Sequence, residues 1–109
     1  MRRVPILASA VLFSVLIPAA LAAPAKGDAA AGKIKAYTCG GCHGITGWNN
    51  AYPDYHVPRI GGQNYAYLVQ ALTEYKKGER AHPTMRAQGE SLSDEDIRDI
   101  ASFLSSLAP

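Results

Sequence analysis

Cys39-Gly40-Gly41-Cys42-His43 decides how this 109-residue chain is read. Two thiols three residues apart, with an imidazole directly after the second, admit several chemistries. A disulfide closing so small a loop would stabilise little, because the gain grows with loop length. A dithiol redox pair needs a strand-to-helix setting with strand-forming residues around it, and none surrounds this one. Structural zinc normally draws on a second ligand pair at comparable spacing, and the chain holds two cysteines in all.

The reading that uses all three side chains is covalent attachment of a c-type haem. Each thiol adds across one vinyl group of the porphyrin to form a thioether, and His43 is carried under the ring where its imidazole binds the iron. Gly40 and Gly41 are expected to let the backbone turn tightly against the macrocycle. The rest of the chain then reads as a wrapper for one haem.

Met1 to Ala23 starts with Arg2 and Arg3, continues as an apolar stretch from Val4, and ends in Ala20-Leu21-Ala22. This pattern is that of a cleaved secretory signal peptide, residues 1–23, with cleavage after Ala22 or Ala23. A retained anchor is the competing reading, but the apolar run is marginal for a span of roughly 20 residues and is broken by Pro5 and Pro18. The expectation is a monohaem domain over 24–109, located in the periplasm, with no membrane span after signal cleavage. Such a chain of about 86 residues is small for a purely apolar core. A buried porphyrin supplies the missing apolar surface, as disulfides or metals do in other small domains.

The full chain has 11 Lys and Arg against 9 Asp and Glu. Arg2 and Arg3 leave with the signal, so the mature chain is formally neutral, which reads against a nucleic-acid partner. The charges are unevenly placed. Arg59, Lys76, Lys77, Arg80 and Arg86 lie in the middle, whereas Glu90, Asp94, Glu95, Asp96 and Asp99 crowd the end. Both groups read first as solvated surface, and the basic one secondly as a rim that steers an acidic redox partner.

Helical signals dominate the chain beyond residue 24. Asp28 is placed to cap a helix running to about Tyr37. From Gly40 to Gln63 the glycines, prolines and Asn/Asp residues predict an irregular loop with at most a short helical turn, which the haem would tie down. Asn64 caps a second helix with Tyr65, Leu68, Val69 and Leu72 at helical spacing, ended by Gly78. A short helix is expected around Met85 to Gln88. Leu92, Ser93, Asp96 and Ile97 form the clearest helix start, a capping box with a hydrophobic staple, and Ile97, Ile100, Ala101, Leu104 and Leu107 continue one apolar face. No segment alternates as a strand would, so the fold class is all-α.

One axial position on the iron remains after His43, and the candidates are Met85, His56, His82 or an open site. Met85 is favoured: it is the sole methionine of the mature chain, and a thioether there raises the potential relative to a second imidazole. His56 and His82 read as surface histidines.

These residues together resemble class I c-type cytochromes, in particular the small bacterial ones grouped with cytochrome c4 and cytochrome c553. Cys39 to Gly44 is similar to the family's haem motif and Pro58-Arg59-Ile60-Gly61-Gly62-Gln63 to its Pro-x-Leu-x-Gly-Gln segment. Tyr67-Leu68, Leu72, Tyr75, Gly78 and Arg80 resemble the following helix, Met85 the distal ligand, and Leu92 to Ile97 the start of the last helix. The resemblance implies that the first and last helices cross through small residues such as Gly32, Ala36 and Ala101, around one covalently bound haem c. It also implies that the carbonyl of Pro58 meets the free nitrogen of His43, orienting the ring and raising its donor strength. Three departures stand out. Cytochrome c4 has two such domains and two haem motifs where this chain has one, Ala71 replaces a common glutamine, and Trp48 to His56 is longer and more aromatic than expected.

The expected function is periplasmic electron transfer through His/Met-ligated haem, by a carrier rather than an enzyme, between a redox protein donor and an acceptor. The alternative is the cytochrome subunit of a periplasmic dehydrogenase such as a flavocytochrome, in which the aromatic stretch 48–56, read first as a haem-covering flap, would be a docking patch anchored by Trp48 and Tyr52. A ligand-binding or peroxidatic haem would require the open axial site.

Overall fold

The computed structural model describes residues 25–45 and 57–109. Within them lie five helices and no strand: α1 (Ala29–Lys35), α2 (Tyr37–His43), α3 (Tyr65–Lys77), α4 (Pro83–Glu90) and α5 (Asp94–Ser106). The architecture is all-α, as the helical periodicities imply. The expected signal peptide and the aromatic stretch 48–56, including His56, fall outside the described residues.

Helix ends follow from side-chain chemistry. The Asp28 carboxylate accepts the N–H groups of Ala30 and Ala31, satisfying donors that the first turn leaves without partners. Asn64 does the same for Tyr67, and Gly78 ends α3 in a left-handed conformation (φ 75°) that a side chain would disfavour. Ser93 and Asp96 form the reciprocal capping box, with Ser93 N–H donating to Asp96 (2.8 Å) and Asp96 N–H to the Ser93 hydroxyl (3.0 Å).

Two boundaries differ from expectation. The first helix stops at Lys35 and, after Ala36, α2 begins, so that Gly40 to His43 are helical rather than part of the irregular loop. The Gly44 N–H donates to the Gly40 carbonyl (3.0 Å), and neither Gly40 nor Gly41 adopts a positive φ. Their expected tight turn is replaced by one regular helical turn. The second difference is α4, which is longer than Met85 to Gln88. Pro83 occupies its first turn, where a missing N–H costs nothing, and Gly89 is buried against the backbone of Tyr75 and Lys76 in α3.

The core sits where α1 crosses α5. Ala36, Ile97, Ile100, Ala101 and Leu104 are each at most 2% exposed. A Cβ on Gly32 would run into the carbonyl of Asp99, so glycine sets how closely the two helices approach. Leu68 of α3 joins this cluster, and Ile45, Ile60, Val69 and Leu72 pack against it half-buried. At about 1.5–3 kcal/mol per fully buried aliphatic side chain, Ile97, Ile100 and Leu104 make this crossing a main source of stability among the described residues.

Asp99, expected on the solvated acidic end, is instead 4% exposed. Its carboxylate accepts the Asp28 N–H (2.7 Å) and pairs with Lys35 (2.6 Å), fastening both ends of α1 to α5. Lys35 also reaches Asp96 (2.8 Å). The ammonium between them holds both carboxyls below their ordinary range, and they in turn push the lysine well above its own.

Candidate functional site

Cys39 and Cys42 lie one helical turn apart on α2 and so share a face. Both are free thiols, Cys39 half-buried and Cys42 exposed. Cys39 packs against the buried cluster beside Ile45 and Ile60. Burial pushes its thiol pKa up, opposite to the lowered pKa that a dithiol redox pair uses. A Cβ on Gly41 would meet nothing within 4 Å, which leaves that side of the helical turn clear.

His43 is the last residue of α2. Its Nδ1 lies 2.7 Å from the carbonyl oxygen of Pro58. A carbonyl can only accept, so Nδ1 carries the proton and Nε2 is left with its lone pair free. That is the tautomer a metal-binding histidine needs, oriented by its second nitrogen.

The segment that holds Pro58 is itself fixed by named contacts. The Gly62 N–H donates to the carbonyl of Leu104 in α5 (2.8 Å), and Gly62 takes φ 78° at a point where a Cβ would strike Pro109. The Gln63 amide donates to the carbonyl of Arg59 (3.1 Å). The core helix α5 thus sets the position of the oxygen that orients His43.

Met85 is the third residue of α4 and is half-buried. Its N–H donates to His82 Nδ1 (3.2 Å), so His82 caps α4 while remaining on the surface. Cys39, Cys42, His43 and Pro58 form one continuous constellation, whereas Met85 arrives on a separate element, α4. No group of three or more His, Cys, Asp and Glu side chains converges as for a bare metal ion among the described residues. A porphyrin needs no such group. Two unpaired thiols on one helix face, a lone pair on an oriented imidazole, and half-buried apolar side chains beside them fit haem c.

The basic rim looks different once its partners are seen. Lys76 pairs with Asp94 (2.8 Å) and Arg86 with Glu90 (2.7 Å). Arg80 lies over the rings of Tyr67 and Tyr75, at 5.9 and 5.1 Å from their centroids.

The family model described as Cytochrome c matches residues 28–108. The chain belongs to the cytochrome c family. Its cofactor is haem c, and two cysteines suit one such group. Among relatives, cytochrome c4 of Pseudomonas aeruginosa is 42% identical over 84 residues, covering 77% of this chain and 40% of that protein. Cytochrome c-554(548) of Halomonas halodenitrificans is 47% identical over 85 residues, covering 73% of this chain and 96% of the relative. The cytochrome subunit of sulfide dehydrogenase from Chlorobaculum tepidum is 30% identical over 103 residues, or 94% of this chain and 90% of that one. The reduced recombinant cytochrome c4 of Pseudomonas stutzeri superposes with a TM-score of 0.64 at 36% identity, over 75% of this chain and 46% of its own. The chain thus spans less than half of these cytochrome c4 relatives and resembles one domain of them, with the class I cytochrome c fold.

The caps at Asp28, Asn64, Gly78 and Ser93 and the haem motif were readable in the sequence, and the helical crossing followed from the family resemblance. The capping role of His82 and the burial of Asp99 were not. His82 precedes Pro83, and a polar residue before a proline at a helix start is the signal that would have found the cap.

Proposed function

We propose that this cytochrome c is a periplasmic monohaem electron carrier whose iron is ligated by His43 and Met85 and whose thioethers come from Cys39 and Cys42. The observation that carries it is the 2.7 Å contact between His43 Nδ1 and the Pro58 carbonyl, which leaves the Nε2 lone pair for a metal. Bound haem supplies a one-electron couple. Cys39 and Cys42 would tether it, Pro58 and α5 hold the His43 imidazole against rotation, and the Met85 thioether would be the second side chain to hold the iron, which favours the reduced state. No general acid or base is needed. With Nδ1 accepting the Met85 N–H, the neutral His82 ring carries its proton on Nε2 and has no free lone pair on either nitrogen, which further supports Met85.

Residues 1–23 are proposed to be the signal peptide that sends the chain to the periplasm. Among the described residues no helix is long and apolar enough to cross a membrane. A mature N-terminus at residue 23 or 24, read by mass spectrometry of the haem protein, tests the signal; an intact Met1 overturns it.

The ligand assignment is tested by Met85→Ala. Haem stays covalently bound, the potential falls by on the order of 0.1 V within the roughly 0.8 V range that axial ligands span, and carbon monoxide or cyanide gains access. An unchanged potential with no new ligand binding rejects Met85.

The second reading, an electron-accepting subunit bound to a dehydrogenase, is favoured by the likeness to a sulfide dehydrogenase cytochrome subunit over 94% of this chain. Gentle purification followed by haem absorbance through a sizing column separates the two. Elution as a monomer or simple homodimer supports the mobile carrier, and co-elution with a larger polypeptide supports the subunit.

A further inference from the structure

The geometry points to His82 as the positioning residue for Met85, an inference that rests on the reading of Met85 as iron ligand. His82 is extended (φ −163°, ψ 102°) at the N-cap of α4, and its Nδ1 accepts the Met85 N–H at 3.2 Å. Histidine is not among the side chains that ordinarily fill this place, which are Asn, Asp, Ser and Thr. Its ring does something a shorter cap cannot. It packs edge-on against Tyr75 of α3, with centroids 6.3 Å apart and planes at 77°.

Tyr75 is held in turn. The Arg80 guanidinium lies 5.1 Å from its ring centroid and donates to the Tyr67 hydroxyl at 3.3 Å. At its far end α4 rests on the same stretch of α3, where Gly89 meets the backbone of Tyr75 and Lys76. The helix is therefore fastened to α3 at both ends, and His82 is the fastening next to Met85.

A methionine side chain has three rotatable bonds and finds its partner only if its backbone is well placed. The ligand-bearing first turn is closed at His82 twice over, by the cap on the Met85 N–H and by the Arg86 N–H donating to the His82 carbonyl (2.8 Å). His82 thus acts on the ligand through the placement of the Met85 backbone.

Three holoprotein variants test this, His82→Ala, His82→Asp and Met85→Ala, each as the ferric form titrated with imidazole. The sulfur-to-iron charge-transfer band is followed in parallel. His82→Ala should bind imidazole about fivefold more tightly, the factor that loss of a typical cap gives, with a weakened sulfur band. His82→Asp, which restores an acceptor for the Met85 N–H but not the packing on Tyr75, should return both readouts part of the way to wild type. If His82→Ala matches wild type, or His82→Asp behaves like His82→Ala, the inference falls. If instead Met85→Ala retains the sulfur band, the ligand reading itself fails. A measurement without substitution serves should His82→Ala not accumulate: imidazole 15N shifts of the wild type should show an unprotonated, accepting Nδ1 and an Nε2–H. The opposite tautomer overturns the inference.

Discussion

The crossing of α1 and α5 and the half built from α2, residues 57–63 and α4 are made differently. At the crossing, five apolar side chains are at most 2% exposed, a buried carboxylate has two partners, and α5 starts with a complete capping box. In the other half, α2 buries no residue fully and α4 buries only Gly89, while Tyr37 stands 86% exposed. The first half is closed by polypeptide alone. The second keeps its apolar surface and its thiols for a group that the chain does not encode, so its stability is that of a protein–cofactor contact.

The largest break in this contrast comes from removing the tether. Cys39→Ser with Cys42→Ser prevents thioether formation, and the porphyrin's apolar contacts go with it. Since domains of this kind hold only about 5–15 kcal/mol in total, we expect no cooperative thermal transition and a marked loss of far-UV ellipticity. A double variant that melts cooperatively near the wild-type temperature would show that the polypeptide closes both halves.

The converse break is Gly32→Val. The branched side chain would meet the Asp99 carbonyl and force α1 away from α5. Overpacking of this kind costs about 3 kcal/mol, or roughly 10–20 °C in Tm for a domain of this size. Below that temperature the haem spectrum should stay that of wild type, because α2 and α4 are untouched. A large spectral change with little change in Tm would reverse the assignment of the two halves.

Charge at the crossing predicts a smaller, pH-dependent effect. Asp96 and Asp99 have folded pKa values below their ordinary 3.8, so their contribution is present above that pH and is lost as pH falls through the folded values. Lys35 is raised above 10.5, so its contribution is present below that pH and is lost as pH rises through the folded value. Tm should be flat from about pH 5 to 9 and decline on both sides. Asp99→Asn should flatten the acid limb of a Tm-against-pH curve, and an unaltered acid limb would place the dependence elsewhere.

How much of each half was legible in the sequence obeys the same division. Asp28, Asn64, Gly78 and Ser93 act within three or four residues of themselves, and their roles were legible because capping is local. Gly32, Ala36 and Ala101 were legible as small residues once the resemblance named the crossing. The burial of Asp99 was not, because its partners Lys35 and the Asp28 N–H lie 64 and 71 residues away and the residue looks like its exposed neighbours. The extent of α4 was hidden for a different reason. It has almost no apolar face, and what it buries is a glycine against backbone, which leaves no periodic trace. In the site, the Cys-Cys-His spacing announced itself, but the helical form of α2 did not, since its two glycines argue locally for a loop.

The smallest effect concerns the surface of α4. Arg86 pairs with Glu90 one turn on, both half-exposed, and its guanidinium lies against Gly78 at the end of α3. Exposed pairs at this spacing are worth about 0.3–0.5 kcal/mol, so Glu90→Ala should shift Tm by only a few degrees. Arg86→Ala should cost somewhat more, because the guanidinium also covers the α3 terminus. A double-mutant cycle isolates the pair from that packing. If the coupling is near zero while Arg86→Ala alone lowers Tm, then α4 is held to α3 by contact rather than charge, as the burial of Gly89 already indicates. Coupling well above 1 kcal/mol would instead make α4 a charge-dependent element, and its Tm contribution would fall with added salt.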